Sequence, residues 1–579
     1  MRSSYLLVRS ANLLRRRIRA SEIWFLLAAL AVGIVAGLGT IALNLAAHGA
    51  QRLLYGLEPE ARLSASGHVA AASLIALPIG GALLGVMIWF RRRRTPIDVV
   101  EANALHGGRI PAGDSVTVVA QTLISNGFGA SVGLEAAYAQ AGGGLASVLG
   151  QALKLRRNDL RTLVGAGTAA AISAAFGAPL AGAFYAFEIV LGAYSPATIA
   201  PVAIASLAAA VTARSLGVTP YVISAGSTHP VATAEYLLYA LLGLVCAGLG
   251  IAFMQAVTLL EQRVRRSGLP PYLSPAVGGF LLIPLALVSP VVLSGGHGAL
   301  SLTLMTQLSV GALFLTLVLK MTASAVSLGF GFRGGLFFAS LFLGALIGQL
   351  FQLTAAAIPN LHPLAANDAA LVGLAAFAVA VVGGPMTMSL LVLEVTHDFA
   401  ITGVAITAAL ISSTVVRERF GYSFSTWRLH LRGETIRSGR DIGWVRTLTA
   451  GRMMRRDVPV LPAATSVKAF RDSYPLGSAT RVVVTDGGGN YAGIVQTATA
   501  YSADLAEETP VGKLAACPTA LHADMDIEQV MEAFDREQVD DLAVIAPGGA
   551  VLGAITEKHV RKRYSEELEK TQREFFGEE

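Results

Sequence analysis

Gly129-Ala-Ser-Val-Gly133-Leu-Glu135-Ala-Ala137 is a glycine-rich stretch that returns later in the chain as Gly331-Phe-Arg-Gly-Gly335-Leu-Phe337-Phe-Ala339. The two stretches are 202 positions apart (337 − 135), and Gly129, Gly133, Leu134 and Ala137 match Gly331, Gly335, Leu336 and Ala339. Glu135, however, falls opposite Phe337. The duplication keeps the backbone chemistry in both copies and places a carboxylate in one. We interpret this asymmetry as the functional centre of the molecule.

The composition indicates a protein that lies mostly in a membrane. Of 579 residues, 54% are hydrophobic and 14% are charged, whereas soluble proteins carry about 25% charged residues. The net charge is +6, but the arginines cluster beside apolar runs, as on the cytoplasmic flanks of membrane spans, and do not indicate a nucleic-acid surface. Cys246 and Cys517 are far apart and predict neither a disulfide framework nor a metal site.

The first two apolar runs set the expected orientation. A basic arm, residues 1–22, precedes an apolar run from Ile23 to Ala47 that is too long for a signal peptide and long enough to span a bilayer. A second run, 69–90, ends at the arginine cluster 91–94. Both basic clusters then lie on one side, which predicts a cytoplasmic N-terminus. Binding of the basic arm to lipid headgroups is compatible with this orientation.

Two later regions are apolar but repeatedly interrupted. Residues 95–192 predict short helices, and a similar broken pattern covers about 310–416. Interrupted segments are tolerated at membrane depth only where protein buries them or where they line a cavity. We therefore predict an all-α polytopic membrane unit over residues 23–435, with an inverted internal repeat of about 69–217 and 274–416. The short helices are expected at about 115–125, 135–152, 160–175 and 179–192, with spans near 200–217, 235–262, 274–293 and 401–416.

A second pair of segments supports the repeat. An apolar segment runs from Pro179 to Glu188, and its counterpart runs from Pro385 to Glu394, at an offset of 206 residues (385 − 179). Paired glycine- and proline-interrupted segments are typical of a transport site between two halves, although glycine-rich patches for helix packing are the alternative. The two glutamates are expected to be symmetric structural acids at helix ends. A proton-path role is the alternative for Glu188.

Glycine-led turns that open helices predict an intramembrane anion site. Free N–H groups at a helix N-terminus attract anions, and glycine lets the backbone approach the ligand closely. Three such turns are expected to converge. Their residues are Gly107, Gly108, Arg109, Ile110, Pro111, Gly133, Leu134, Leu336 and Phe337. Arg109 is either a source of positive potential or a solvated loop residue, and Phe337 either packs in the core or narrows a pore.

Glu135 is predicted to gate this site. An ionised carboxylate at a helix N-terminus takes the place of an anion, whereas a protonated or displaced one leaves the place open. The gate would therefore respond to pH. A first-turn glutamate that only complements the helix dipole is the alternative, but an ionisable residue inside a membrane is functional by default.

The C-terminal part is predicted to be soluble. Charges return after about Arg437, and two similar modules, 449–505 and 509–565, each contain a helix and β-rich runs around glycine turns. We expect a small cytosolic α/β pair, followed by a charged tail, 566–579.

Together these motifs resemble the CLC family of chloride channels and proton-coupled chloride transporters. The resemblance covers about residues 20–435, and the C-terminal modules resemble the paired CBS modules often attached to the family. It implies a homodimer in the plasma membrane with one pore per subunit, both termini in the cytoplasm, chloride as the transported ligand and Glu135 as the external gate. The family's anion-coordinating serine falls on Gly108. The position of its pore tyrosine holds Ser425, whose hydroxyl is expected to contact the anion.

The resemblance also bears on mechanism. Proton-coupled members carry a second glutamate at the position that Ile189 occupies here, after Glu188. We therefore expect a passive, voltage- or pH-gated chloride channel, with chloride/proton antiport and a non-conducting membrane sensor as alternatives. An intramembrane enzyme with Glu135 as base lacks a second acid, a Ser/His pair or a metal cluster. No cofactor is expected, and His559 replaces the ribose-binding aspartate of nucleotide-binding modules.

Overall fold

A computed structural model describes residues 21–59, 61–91, 95–218, 233–306, 308–359, 364–430, 448–516 and 519–576. The basic arm before Ser21, arginines 92–94 and Cys517 fall outside these residues. The chain divides after Asp441 into a membrane unit and a C-terminal unit.

The membrane unit is helical, with short one-turn segments between some helices. Its first half contains α1 Glu22–Tyr55, α2 Ala76–Arg91, α3 Val99–Leu105, α4 Ala112–Gly127, α5 Glu135–Ala152, α6 Arg157–Phe176, α7 Pro179–Tyr185 and α8 Pro196–Ser215. Its second half contains α9 Thr233–Arg266, α10 Ser274–Val288, α11 His297–Met305, α12 Val310–Gly329, α13 Phe337–Ala356, α14 Ala366–Val382, α15 Pro385–Thr396, α16 Phe399–Arg419 and α17 Phe424–His430.

Several helices have the length and composition of membrane spans, which need about 20 apolar residues. Among the described residues, seven qualify: Glu22–Tyr55, Ala71–Arg91, Pro196–Ser215, Glu235–Arg266, Val310–Gly329, Phe337–Ala356 and Phe399–Arg419. The most enclosed of them is α13, with 72% of its apolar window buried. A helix that is apolar on all sides and buried on most of them belongs in the interior of the unit.

The spacing of the duplicated stretches is kept in the helices that follow them. The starts of α5 and α13 are 202 residues apart, like the stretches 129–137 and 331–339 themselves. The longest described helices, α1 and α9, have 34 residues each, and one lies in each half. The predicted bounds of the repeat, about 69–217 and 274–416, stay a prediction.

Contacts between the halves are reciprocal. A Cβ on Gly81 would lie 2.2 Å from the Pro275 carbonyl oxygen, and a Cβ on Gly279 would lie 2.6 Å from the Leu77 carbonyl oxygen. Reciprocal contacts of this kind are the mark of an approximate two-fold axis. An inverted repeat requires such an axis.

The predicted short helices are confirmed, with shifted ends. The helix α5 has the predicted bounds, while α4 and α6 each extend one to three residues beyond them at both ends. The helix α7 continues as a π-helical turn, Ala186–Leu191. Such turns occur often at functional sites.

The C-terminal unit contains two three-stranded sheets. Its elements are α18 Ala450–Met453, β1 Val460–Pro462, α19 Val467–Ser473, β2 Arg481–Thr485, β3 Tyr491–Gln496, α20 Thr497–Ala500, β4 Leu521–His522, α21 Ile527–Glu537, β5 Asp541–Ile545, β6 Val551–Thr556 and α22 Glu557–Phe576. In each sheet the first strand pairs parallel to the second and the second antiparallel to the third. The β2–β3 and β5–β6 pairs also share a register shift at equivalent positions.

The two predicted modules exchange their leading segments. Ala450 and Met453, at the start of the first predicted module, pack in the core of the second sheet with Ile527. Val511, at the start of the second, packs in the core of the first sheet with Phe470. Each module thus completes the other, because each short leading segment has too little apolar surface to form a core of its own.

Candidate functional site

The duplicated stretches 129–137 and 331–339 pair through their backbones. Gly133 N–H donates to the Gly335 carbonyl oxygen (2.9 Å), and Gly335 N–H donates to the Gly133 carbonyl oxygen (3.1 Å). The helices α5 and α13 begin two residues later, at Glu135 and Phe337. The bridge therefore brings together the N-termini of two long helices from the two halves of the repeat.

The side chain of Glu135 reaches across to the other helix. Its Oε1 accepts a hydrogen bond from Phe338 N–H at the start of α13 (3.2 Å), and the residue is only 2% exposed. Its Oε2 is buried and has no hydrogen-bond partner among the described residues. The carboxylate thus occupies a helix N-terminus that an anion would otherwise bind.

The two bridging glycines leave room for this carboxylate. A Cβ on Gly133 would lie 1.9 Å from Glu135 Oε2, and a Cβ on Gly335 would lie 2.7 Å from the same atom. Neither glycine has a positive φ angle. Space for the carboxylate, and not an unusual backbone conformation, is therefore what requires glycine here.

The equivalent amide of the first half has no partner. Ala136 lies 202 positions before Phe338 and occupies the same place in α5. No described residue accepts a hydrogen bond from Ala136 N–H, and this N–H lies 3.4 Å from the place of a Cβ on Gly335. Ala136 is half-buried, and the first N–H groups of a helix have no acceptor within the helix. One amide of the pair is filled by Glu135, and the other is open to a ligand.

Lys320 is a functional candidate that the sequence analysis missed. It lies in α12, is completely buried and is close enough to Glu135 for electrostatic interaction. Its Nζ donates to the carbonyl oxygens of Val292 (3.1 Å) and Ser294 (2.7 Å). The signal was present, because one lysine in an apolar membrane run is costly and marks a functional site.

Polar side chains hold the loop before Glu135. Asn126 donates to the Val132 carbonyl oxygen (2.8 Å) and to Ser294 Oγ (3.0 Å). Ser131 N–H donates to Ser327 Oγ (3.0 Å). A polar cavity adjoins this loop, and its lining includes Leu134, Arg62 and His297. The loop is thus held by hydrogen bonds on one side and borders a polar cavity on the other.

An aromatic cluster lies beside the start of α13. The ring of Phe337 is 5.0 Å from that of Phe176 and 5.9 Å from that of Tyr185. Phe338 stacks on His297 at 3.6 Å. Phe337 is buried in this cluster next to Glu135, so packing and narrowing of a path by Phe337 are both compatible with its position.

The amides of the third predicted turn have partners in neighbouring helices. Gly108 N–H donates to Ala102, Arg109 N–H to His106 and Ile110 N–H to Ser147 Oγ (2.8 Å). Ser147 is twelve residues beyond Glu135 in α5, or about 18 Å along the axis. The segment Gly107–Pro111 therefore folds back on neighbouring helices, and its amides are used internally. The predicted convergence of this turn with the other two stays a prediction.

Glu188 and Glu394 form a reciprocal pair. Glu188 accepts hydrogen bonds from Met386 N–H (3.1 Å) and Thr387 N–H (2.8 Å) at the start of α15. Glu394 accepts from Leu180 N–H (2.7 Å) and Ala181 N–H (2.8 Å) at the start of α7. Glu188 thus caps α15, the helix that contains Glu394. Glu394 caps α7, the helix that leads into the turn containing Glu188. This arrangement agrees with the structural reading of the pair.

Ser425 lies in α17, but its side chain is outside what the structure describes. Its predicted contact with an anion stays a prediction.

Comparison with known proteins gives the family. The model of the voltage-gated chloride channel family matches residues 80–417. A ClcB-like chloride channel protein of Ralstonia nicotianae is 30% identical over 340 residues, which cover 57% of this chain and 79% of that protein. The H(+)/Cl(−) exchange transporter ClcA of Salmonella paratyphi A is 29% identical over 282 residues, which cover 47% of this chain and 59% of the transporter.

Solved structures show the same fold. A slow cyanobacterial Cl−/H+ antiporter superposes with a TM-score of 0.61 at 20% identity, covering 70% of this chain and 97% of the antiporter. A eukaryotic CLC transporter gives a TM-score of 0.57 at 18% identity and covers 92% of this chain and 97% of its own. The chain therefore belongs to the voltage-gated chloride channel family and is a multi-pass membrane protein with the CLC transport fold.

Proposed function

We propose that this protein conducts chloride passively through a path that Glu135 gates. The observation that carries the proposal is the hydrogen bond from Phe338 N–H to the Glu135 carboxylate, beside the unpaired N–H of Ala136. When the carboxylate is protonated or swings away, both amides become available to an anion. Chloride flux is then expected to rise as the pH falls.

Several charged or titratable groups lie near Glu135 and would contribute to its response to pH. Lys320 approaches from α12 and His297 from α11, and Arg62 lines the adjoining cavity. The positive charges of Lys320 and Arg62 attract an anion to this side of the gate. Lys320 stabilises the negative charge of the carboxylate in a region of low dielectric constant.

Chloride/proton antiport is the second candidate. Two observations favour it: the buried Glu135 carboxylate has one oxygen without a partner, where a proton can bind, and structures of the same fold include Cl−/H+ and fluoride/proton antiporters. Against it, Ile189 carries no proton, and Glu188 already accepts two backbone hydrogen bonds and one from Thr387 Oγ1 (2.7 Å). These contacts favour the channel.

Purified full-length protein in liposomes decides between the candidates. A chloride gradient is imposed at equal pH on both sides, and the internal pH is followed together with chloride efflux. A channel releases chloride without moving protons uphill, whereas an antiporter moves protons against their gradient. Proton movement that depends on chloride would overturn the channel. Absence of chloride flux from folded protein at every pH would support a non-conducting sensor.

We also propose that the chain is a homodimer in the plasma membrane with both termini in the cytoplasm, and that its C-terminal unit is a CBS pair. The shared topology of the two sheets and their exchanged leading segments support the second proposal. Cross-linking at low detergent concentration tests the dimer, and a truncation after Asp441 tests whether the C-terminal unit alters chloride flux.

A further inference from the structure

Tyr185 is a buried tyrosine whose hydroxyl group has no assigned partner. It lies in α7, is 9% exposed, and forms no hydrogen bond with any described residue. Two other buried tyrosines of the membrane unit have partners: Tyr55 donates to the Phe128 carbonyl oxygen (2.8 Å), and Tyr138 accepts from Asn44 (3.0 Å). Tyr239, like Tyr185, forms no hydrogen bond with any described residue. A tyrosine hydroxyl that enters a protein interior normally finds a partner. The free hydroxyl of Tyr185 therefore needs an explanation.

The position of Tyr185 supplies one. Its ring lies 5.9 Å from the ring of Phe337, the first residue of α13. Its hydroxyl is within electrostatic range of Glu135, the first residue of α5, and of Asp98. Tyr185 thus reaches the place where the two long helices begin, without bonding to either carboxylate. A hydroxyl can donate its proton to an anion there.

We infer that the Tyr185 hydroxyl donates a hydrogen bond to the transported anion beside the N-termini of α5 and α13. The inference rests on the proposed function and adds a side-chain ligand to the backbone amides. The Phe337 ring packs against Tyr185, and the Phe176 ring packs against Phe337. In such apolar surroundings a hydrogen bond is electrostatically stronger than in water. Lone amides discriminate little between halides. A hydroxyl donor favours the smaller and more charge-dense chloride over iodide.

Tyr185→Phe removes the hydroxyl and leaves the ring in place. Hydrogen bonds to charged groups contribute enough for about a tenfold change in affinity. We expect chloride to bind the full-length Tyr185→Phe protein about tenfold more weakly by isothermal titration calorimetry. In liposomes, the ratio of chloride flux to iodide flux falls by a similar factor. This ratio is measured on the same vesicles, so it does not depend on how much of the variant folds.

Tyr239→Phe is the matched control. Tyr239 lies in α9, is 1% exposed, and is near Glu235 and Asp368 instead of Glu135. Its chloride affinity and flux ratio should stay within twofold of the wild type. Equal chloride affinity and an equal flux ratio in Tyr185→Phe and the wild type would overturn the inference while leaving the proposed function intact. A wild-type protein that neither binds nor conducts chloride would overturn both.

Discussion

The turn at Gly133 and the turn at Gly335 have the same backbone and opposite side-chain chemistry. They exchange two hydrogen bonds and each opens a long helix. Glu135 then crosses from the first half to Phe338 N–H in the second. Phe337 cannot return the contact, because its side chain has no carboxylate oxygen to accept a hydrogen bond from Ala136 N–H. The two-fold arrangement therefore supplies two equivalent N–H groups, those of Ala136 and Phe338. Glu135 accepts a hydrogen bond from the second of them.

A second pair of regions shows what happens when the symmetry is kept. Glu188 and Glu394 also lie at equivalent positions, and each caps the partner helix of the other half. Here both copies retain the acid, and both acids are satisfied. Where both halves keep the glutamate, as at Glu188 and Glu394, the acids have a structural role. Where only one half keeps it, as at Glu135, one carboxyl oxygen has no partner among the described residues. The following predictions test this contrast.

The largest effect is expected for Glu135→Gln. Loss of the negative charge removes the competitor for the anion position, so chloride flux at neutral pH should rise about tenfold or more. Wild-type flux should increase as the pH falls from 8 to 5, because protonation neutralises the carboxylate, and the variant should lose most of this increase. Chloride efflux from liposomes at stepped pH measures both effects.

Glu235→Gln is the control for this variant, since Glu235 is a first-turn glutamate of α9 without a place at the bridge. Its flux and pH response should match those of the wild type. A flat pH response in the wild type, or an unchanged flux in Glu135→Gln, would refute the gate.

A smaller effect is expected for alanine at the two bridging glycines. A Cβ on Gly133 would come closer to Glu135 Oε2 than one on Gly335 (1.9 against 2.7 Å). Gly133→Ala should therefore displace the carboxylate more and raise chloride flux by several-fold, with a weaker rise for Gly335→Ala. In a Glu135→Ala background there is no carboxylate to displace, and neither alanine should raise flux further. Additive effects in the double variants would show that the glycines act independently of Glu135.

The smallest effect is expected for the capping pair. Glu188→Gln and Glu394→Gln each weaken charge-assisted bonds at a helix N-terminus, which costs about 1 kcal/mol of stability. Both variants should lower the midpoint of thermal unfolding in detergent by a few degrees and leave chloride flux nearly unchanged. If Glu188→Gln alone changes proton movement in the liposome assay, Glu188 has a proton-path role that its symmetric partner lacks.

Local patterns allowed much of this organisation to be predicted. Long apolar runs flanked by arginine clusters indicated the membrane unit. The matched glycines of the stretches 129–137 and 331–339 indicated the paired turns. The start of α5 at Glu135 agrees with the glycine turn that precedes it. Residues 107–111 resembled the same motif. The local sequence could not show, however, that Ser147 and Ala102 would accept hydrogen bonds from the backbone N–H groups of this segment. Hydrogen-bond partners distant in the chain decide whether an N–H group is free.

The sequence by itself determined that the chain is a duplicated helical membrane protein in which one carboxylate, Glu135, breaks the repeat. Only the tertiary structure decided which groups meet that carboxylate. It brought Phe338 N–H from the other half, placed Lys320 from α12 nearby, and set Tyr185 beside Phe337. The physical reason is that helix periodicity and glycine turns are local properties of the chain, whereas the neighbours of a buried charge depend on how separate helices pack.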